Sequence, residues 1–190
     1  MQSIYFVDSN FTYESSKKSI LSIRYATDGF SFCVHDETEK LVVFVHEPYA
    51  ADSREAAVDR LKNYVVNDAI LNLRFKKVYI MPCFKEKLLV PGAFFDKANI
   101  ATLYTVNQEV APDDTILYHH IEGIEAYLVE TVISSFHDFV REHFSVVQIV
   151  NGAYPFILGA MAKALRDTEQ IFLDIQDNYF DLLFIRDSAI

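Results

Sequence analysis

The sequence contains no tryptophan, two cysteines, five glycines and five prolines, and its 17 basic residues are outnumbered by 27 acidic ones. Each shortage excludes a class of protein. Cys33 and Cys83 form no CxxC and have no histidine at ligand spacing, so neither a zinc ribbon nor a disulfide framework is expected. They read as reduced, buried thiols. No apolar run approaches the roughly 18 residues that a membrane helix needs. The first eleven residues carry no basic group before their apolar patch and no small-residue cleavage site, so a cytoplasmic location is expected. A formal net charge of -10 opposes nucleic acid and anionic membranes. The short basic runs Lys17-Lys18 and Lys76-Lys77 read as solvated strand flanks. Walker A, GxSxG and HExxH patterns are all missing.

What is present is apolar and aromatic: 51% hydrophobic residues, 14% aromatic, 11 tyrosines and 16 phenylalanines in 190 residues. That length suits one domain, or one and a fraction, with a sizeable core. The chain is organised around Ile20 to Val45. Leu21, Ile23 and Tyr25 alternate with Ser22 and Arg24, and Phe30, Phe32 and Val34 with Ser31, Cys33 and His35. A third run, Leu41 to Val45, is apolar on both faces. With a Thr27-Asp28-Gly29 turn and a polar Asp36-to-Lys40 turn between them, these runs predict an antiparallel meander. Ile4 to Val7 reads as a short edge strand ahead of it.

Asp52, with Glu55 three positions on, reads as a capping box. Val58, Leu61 and Val65 then predict a helix from about Ser53 to Leu73. Lys77 to Met81 reads as a strand stopped by Pro82. Leu88 to Gly92 is an extended entry to a turn, Ala93 to Leu103 a short helix, Tyr104 to Val106 a strand fragment, and Thr115 to His119 another strand. The longest helix is expected over Glu122 to Phe144. Its stripe is Leu128, Val132, Phe136, Val140 and Phe144, with Glu130, Asp138, Arg141 and Glu142 lying off it. Val146 to Val150 is continuous in apolar residues, the mark of a central strand. Gly152 breaks it, and Pro155 suits the first turn of a helix running to about Arg166. A closing hairpin spans Ile171 to Asp187. The sum is an α/β chain, a meander followed by alternating helices and strands, with a mixed sheet and helices packed on it.

The hairpin at Leu173 repeats the plan of the one at Leu21: a strand, a short polar turn, then an aromatic-rich strand. Two such openings about 150 residues apart resemble the duplicated ribonuclease-H-like halves of the actin-like ATPase superfamily. The stretches SIRYATDGFSF (Ser22 to Phe32), LVPGAFFD (Leu89 to Asp96) and FLDIQDNYFDLLFI (Phe172 to Ile185) look more closely like a bacterial family, domain of unknown function 3822. The resemblance implies residues 1–145 as a first ribonuclease-H-like subdomain and 146–190 as the start of a second, incomplete repeat. It also implies that the family pattern continues past Ile190.

An actin-like ATPase site sets two hairpin turns against the nucleotide phosphates, with an Asp holding Mg²⁺ through water and glycines that admit phosphate oxygens to backbone N–H groups. At the first hairpin the Asp position falls nearest Ser22 or Arg24, and the single glycine, Gly29, lies further on. At the second, Asp174 remains, but Gln176, Asp177 and Asn178 stand where glycines would be. Such a site is degenerate. The expected role is therefore non-catalytic, through an unidentified protein partner, with no resident cofactor or metal. The alternative is a divergent nucleotide-binding ATPase or phosphotransferase. It would take ATP and Mg²⁺ with Asp174 and with Asn151-Gly152, which lies between a buried strand and a helix, where open α/β sheets place ligands. Asp28-Gly29 by itself is an ordinary hairpin turn pair. His119 and His120 point to opposite faces of one strand and cannot share a metal. His137 and His143 diverge on a helix.

Overall fold

The structure is a computed structural model, and residues 2–176 and 178–186 are described. Seventeen elements follow one another along them: β1 (Ile4–Val7), α1 (Tyr13–Ser16), β2 (Ile20–Ala26), β3 (Gly29–His35), β4 (Leu41–Pro48), α2 (Arg54–Asn67), β5 (Lys77–Pro82), β6 (Lys87–Pro91), a 3-10 turn (Gly92–Phe94), α3 (Ile100–Asn107), β7 (Asp114–Ile121), β8 (Ala126–Ile133), α4 (Ser134–His143), β9 (Val147–Ile149), α5 (Ala153–Lys163), β10 (Glu169–Ile175) and β11 (Phe180–Arg186). They group into two compact units. One comprises the chain up to Phe84 together with Val132–Val150. The other comprises Lys85–Thr131 and the chain from Asn151 onward.

The first unit is a six-stranded mixed sheet in the order β1-β4-β3-β2-β5-β9. The meander β2-β3-β4 is antiparallel, β1 adds antiparallel to β4, and β5 and β9 run parallel to β2 and β5. The period-two reading of β2 holds: Leu21, Ile23 and Tyr25 are buried while Ser22 and Arg24 are half-buried. Tyr25 meets Phe84 and Phe136 edge-on at 5.4 and 5.1 Å, an arrangement that favours aromatic pairs. α2 buries Ala57, Val58, Leu61 and Val65 and packs against β2 and α4. The cap is Ser53, not Asp52: its Oγ accepts from the Ala56 N–H at 3.2 Å, so Glu55 sits one residue too early to close a capping box on it. The helix ends at Asn67, because the Asp68 carboxylate accepts from the Ile70 and Leu71 N–H groups and turns the chain. The parallel strand at Val147–Ile149 is at the edge of this sheet and not central. Its middle residue Gln148 and the preceding Val146 are exposed.

In the second unit β6-β8-β7 form a three-stranded sheet, and β10-β11 pair with each other. On one face of β8 Val129 packs with Val90 and Tyr104 of α3. On the other, Leu128 joins Ile121, the α5 residues Ala153, Ile157 and Ala160, and Leu183 and Ile185 of β11. Here the sequence reading fails. The helix expected over Glu122 to Phe144 is a strand, Ala126–Ile133, followed by a ten-residue helix, Ser134–His143. A strand covered on both faces is apolar at nearly every position, so a helical stripe can be drawn through it by chance. The β-branched residues Val129, Thr131, Val132 and Ile133 favour the extended chain. The strand fragment expected at Tyr104 to Val106 lies inside α3. The Tyr104 hydroxyl, in the buried core, donates to the Glu86 carbonyl at 3.0 Å.

Candidate functional site

Two places hold the residues that the sequence singles out, one in each unit. In the first unit the β2–β3 connection is a two-residue loop, Thr27-Asp28, because Ala26 pairs with Gly29. Gly29 is therefore the first residue of β3, with φ +148°. A Cβ there would stand 2.6 Å from the Glu47 carbonyl oxygen of β4. The glycine is required by the close approach of two strands. Its freedom serves the sheet.

Arg24 and Asp28 are joined across this turn. Arg24 Nη1 lies 3.2 Å from Asp28 Oδ1, and Nη2 lies 3.3 Å from Oδ2. Both side chains are about one quarter exposed, and a fork-on-fork guanidinium–carboxylate pair of this kind is directional as well as attractive. Of the two strand positions nearest to that expected for a metal-holding Asp, Ser22 is a neutral hydroxyl and Arg24 a cation, and the turn carboxylate is engaged by Arg24. A Mg²⁺ ion at this turn would have to compete with Arg24 for the Asp28 carboxylate.

In the second unit, Asn151, Gly152 and Asp174 are found in specific roles. Asn151 is buried just before α5. Its Oδ1 accepts from the Ala153 N–H at 2.9 Å, and its Nδ2 donates to Glu130 Oε2 at 3.0 Å. Gly152 is the cap residue of α5. The acid met at this helix start is the protein's own Glu130. Glu130 is 1% exposed. Its Oε1 accepts no hydrogen bond from the described residues and lies 3.9 Å from His119 Nε2. Burial pushes the carboxyl pKa up to about 7, against the opposing pull of the Asn151 hydrogen bonds and the Lys87 charge.

A polar row continues from there. Glu130 is the cross-strand partner of Lys87, whose ammonium lies 2.9 Å from Asp181, and Asp181 is the cross-strand partner of Asp174. Asp174 is half-buried, with Gln176 Nε2 donating to its Oδ2 at 2.9 Å. Asn151 and Asp174 are thus the ends of one row, with Glu130, Lys87 and Asp181 between them. Of the turn residues weighed against phosphate, Asp177 lies outside the described residues, while the Gln176 N–H closes the turn on the Tyr179 carbonyl at 2.9 Å. His119 faces Glu130 and the Tyr154 ring, and His120 packs beside Tyr127, so the two part to opposite faces. No group of three or more His, Cys, Asp or Glu side chains is placed to hold a metal among the described residues.

Sequence reasoning missed Glu130. Drawn on a helix, it fell on the polar side; on β8 it points into the core beside Leu128. The signal that finds it is a single carboxylate inside a run of β-branched residues.

A family model described as protein of unknown function (DUF3822) matches residues 8–190. A crystal structure from Bacteroides thetaiotaomicron VPI-5482, of a protein described as having an actin-like ATPase fold and unknown function, aligns with a TM-score of 0.85 at 20% identity. The alignment covers 94% of this chain and 70% of that chain. No curated protein matches the sequence. At that identity the likeness establishes the fold alone, and the mixed sheet is that of an actin-like ATPase fold. Among the described residues no helix is long and apolar enough to cross a membrane.

Proposed function

The chain belongs to the DUF3822 family, and on that footing we propose that it is an actin-like-fold protein working through protein contacts and not through nucleotide turnover. One observation carries this reading. Arg24 and Asp28 pair across the β2–β3 turn, and Gly29 is taken up by the approach of β4. A phosphate at that turn would have to displace Arg24 from Asp28 and would then face a bare carboxylate. Residues 146–190 enter the same reading as the opening of a second repeat. Cys33 and Cys83, which form no disulfide, agree with a reducing compartment such as the cytoplasm.

The alternative, a divergent ATPase using Asp174, Asn151 and Gly152, has less to support it. Both polar ends of the Asn151 side chain are already bonded within the protein, to Glu130 and to the Ala153 N–H. The test is phosphate release and equilibrium Mg-ATP binding on the purified protein. The proposal expects neither. Turnover abolished by Asp174→Ala would replace it with the ATPase reading.

A further inference from the structure

Beside the start of β5 the first unit holds a cavity of about 490 Å³, and we propose that it binds a small organic monocarboxylate. The cavity lies between the α2–β5 connection, the last residues of α4 and the residues that lead into β9. β5 runs parallel to β2, so this is the end of the sheet where β2 begins, away from the β2–β3 turn. The basic runs of the sequence meet here. Ser16 Oγ donates to the Arg74 carbonyl at 2.9 Å, and the Lys76 N–H donates to the Ser19 carbonyl at 3.0 Å. Ile20 is the cross-strand partner of Lys77. Lys17-Lys18 and Lys76-Lys77 therefore flank Arg74 at one corner of a chain whose net charge is -10. Lys17 and Lys18 are tied to Glu14 and Glu37. Arg74 and Lys76 enter no ion pair among the described residues, which leaves their charge to attract an anion.

Arg74, His143 and Ser145 line the cavity, and none of their side chains is hydrogen-bonded to the described residues. The walls around them are fixed. Asn72 Nδ2 donates to the carbonyls of Val65, Val66 and Asp68 at 2.9, 3.2 and 2.7 Å and so closes the end of α2. The His143 ring stacks on Phe139 at 5.7 Å and meets Phe144 edge-on at 4.7 Å. The Arg74 guanidinium presents the fork that matches a carboxylate, and the Ser145 hydroxyl and an imidazole N–H are further donors. Phe75, Val78 and Phe144 are buried and give the body of the ligand an apolar wall. Glu142 and the carbonyl end of α4 border the same cavity. Their negative potential disfavours a second charge on the ligand, which selects a carboxylate over a phosphate. The volume is within the range of small-molecule sites. This site does not depend on the state of the β2–β3 turn and extends beyond the function proposed above.

Amide NMR titration of the whole 190-residue protein with phenylacetate, hexanoate and inorganic phosphate tests this. The expected result is saturable shifts of the Arg74, Phe75 and Ser145 amides with at least one of the two carboxylates, at a dissociation constant of about 1 mM or below. Phosphate should bind about 10-fold more weakly or worse. Arg74→Gln, at an exposed position, should leave the circular dichroism unchanged and weaken the carboxylate about 10-fold or more. Lys163→Gln, an equally exposed cation on α5, should leave the affinity as it is, which a general attraction of anions to basic side chains would not produce. No shift at these amides with either carboxylate up to about 10 mM would overturn the proposal. So would an affinity that Arg74→Gln leaves unchanged, or phosphate bound as tightly as the carboxylates.

Discussion

The side-chain amide of Asn151 holds the most buried acid described in the chain, Glu130, by a 3.0 Å hydrogen bond to one carboxylate oxygen, while the other oxygen looks toward His119 at 3.9 Å. A carboxyl raised to about 7 binds its proton more tightly folded than unfolded. Its contribution to stability is complete below the unfolded value of about 4.5 and is lost as the pH rises through 7. A shift of this size corresponds to about 3 kcal/mol across that window. Glu130→Gln keeps an oxygen for Asn151 and removes the ionisation. Urea denaturation at pH 5 and pH 8 should show the variant gaining on the wild type at pH 8, by about 1–3 kcal/mol. Parallel curves at the two pH values would refute it.

Gly29 and Gly159 make opposite predictions. Alanine at Gly29 drives a Cβ to 2.6 Å from the Glu47 carbonyl oxygen at a φ of +148°, and should cost about 2 kcal/mol or more. Alanine at Gly159 meets nothing within 4 Å on the exposed side of α5, and should stabilise by about 0.5–1 kcal/mol. Denaturant midpoints of the two variants measure both.

The aromatic contact between Tyr25 and Phe136 ties β2 to α4. Phe136 is fully buried, so Phe136→Ala should lose about 3–5 kcal/mol, with Phe136→Leu losing much less. Equal losses would show that ring volume is not what the site uses.

Much of this fold was legible where one face of an element is wet. In β2 and β3 the alternation of Leu21, Ile23 and Tyr25 with Ser22 and Arg24 reports a half-buried sheet directly, and Val58, Leu61 and Val65 report α2. Legibility failed at β8. A strand packed by α3 on one side and by α5 with β11 on the other has no polar face to set a period, and it was read as helix. The site went with it, because Glu130 takes its character from burial, and only the contacts of β7, β6 and α5 create that. Asn151-Gly152 was found because a strand-to-helix break is written in the chain. Its use, as the donor to Glu130, was not. The role of Gly29 was likewise out of reach, since the strand it must approach lies 18 residues on.

The central claim, that the protein does not work through a nucleotide, is tested most directly by thermal unfolding of the wild type with and without Mg-ATP at about 1 mM. A ligand bound only by the folded state at about 100 times its dissociation constant adds about 2.7 kcal/mol, or some 5–10 °C in a chain of this size. The account predicts a change below about 1 °C. A rise of several degrees that Asp174→Ala removes would contradict it and establish a nucleotide site.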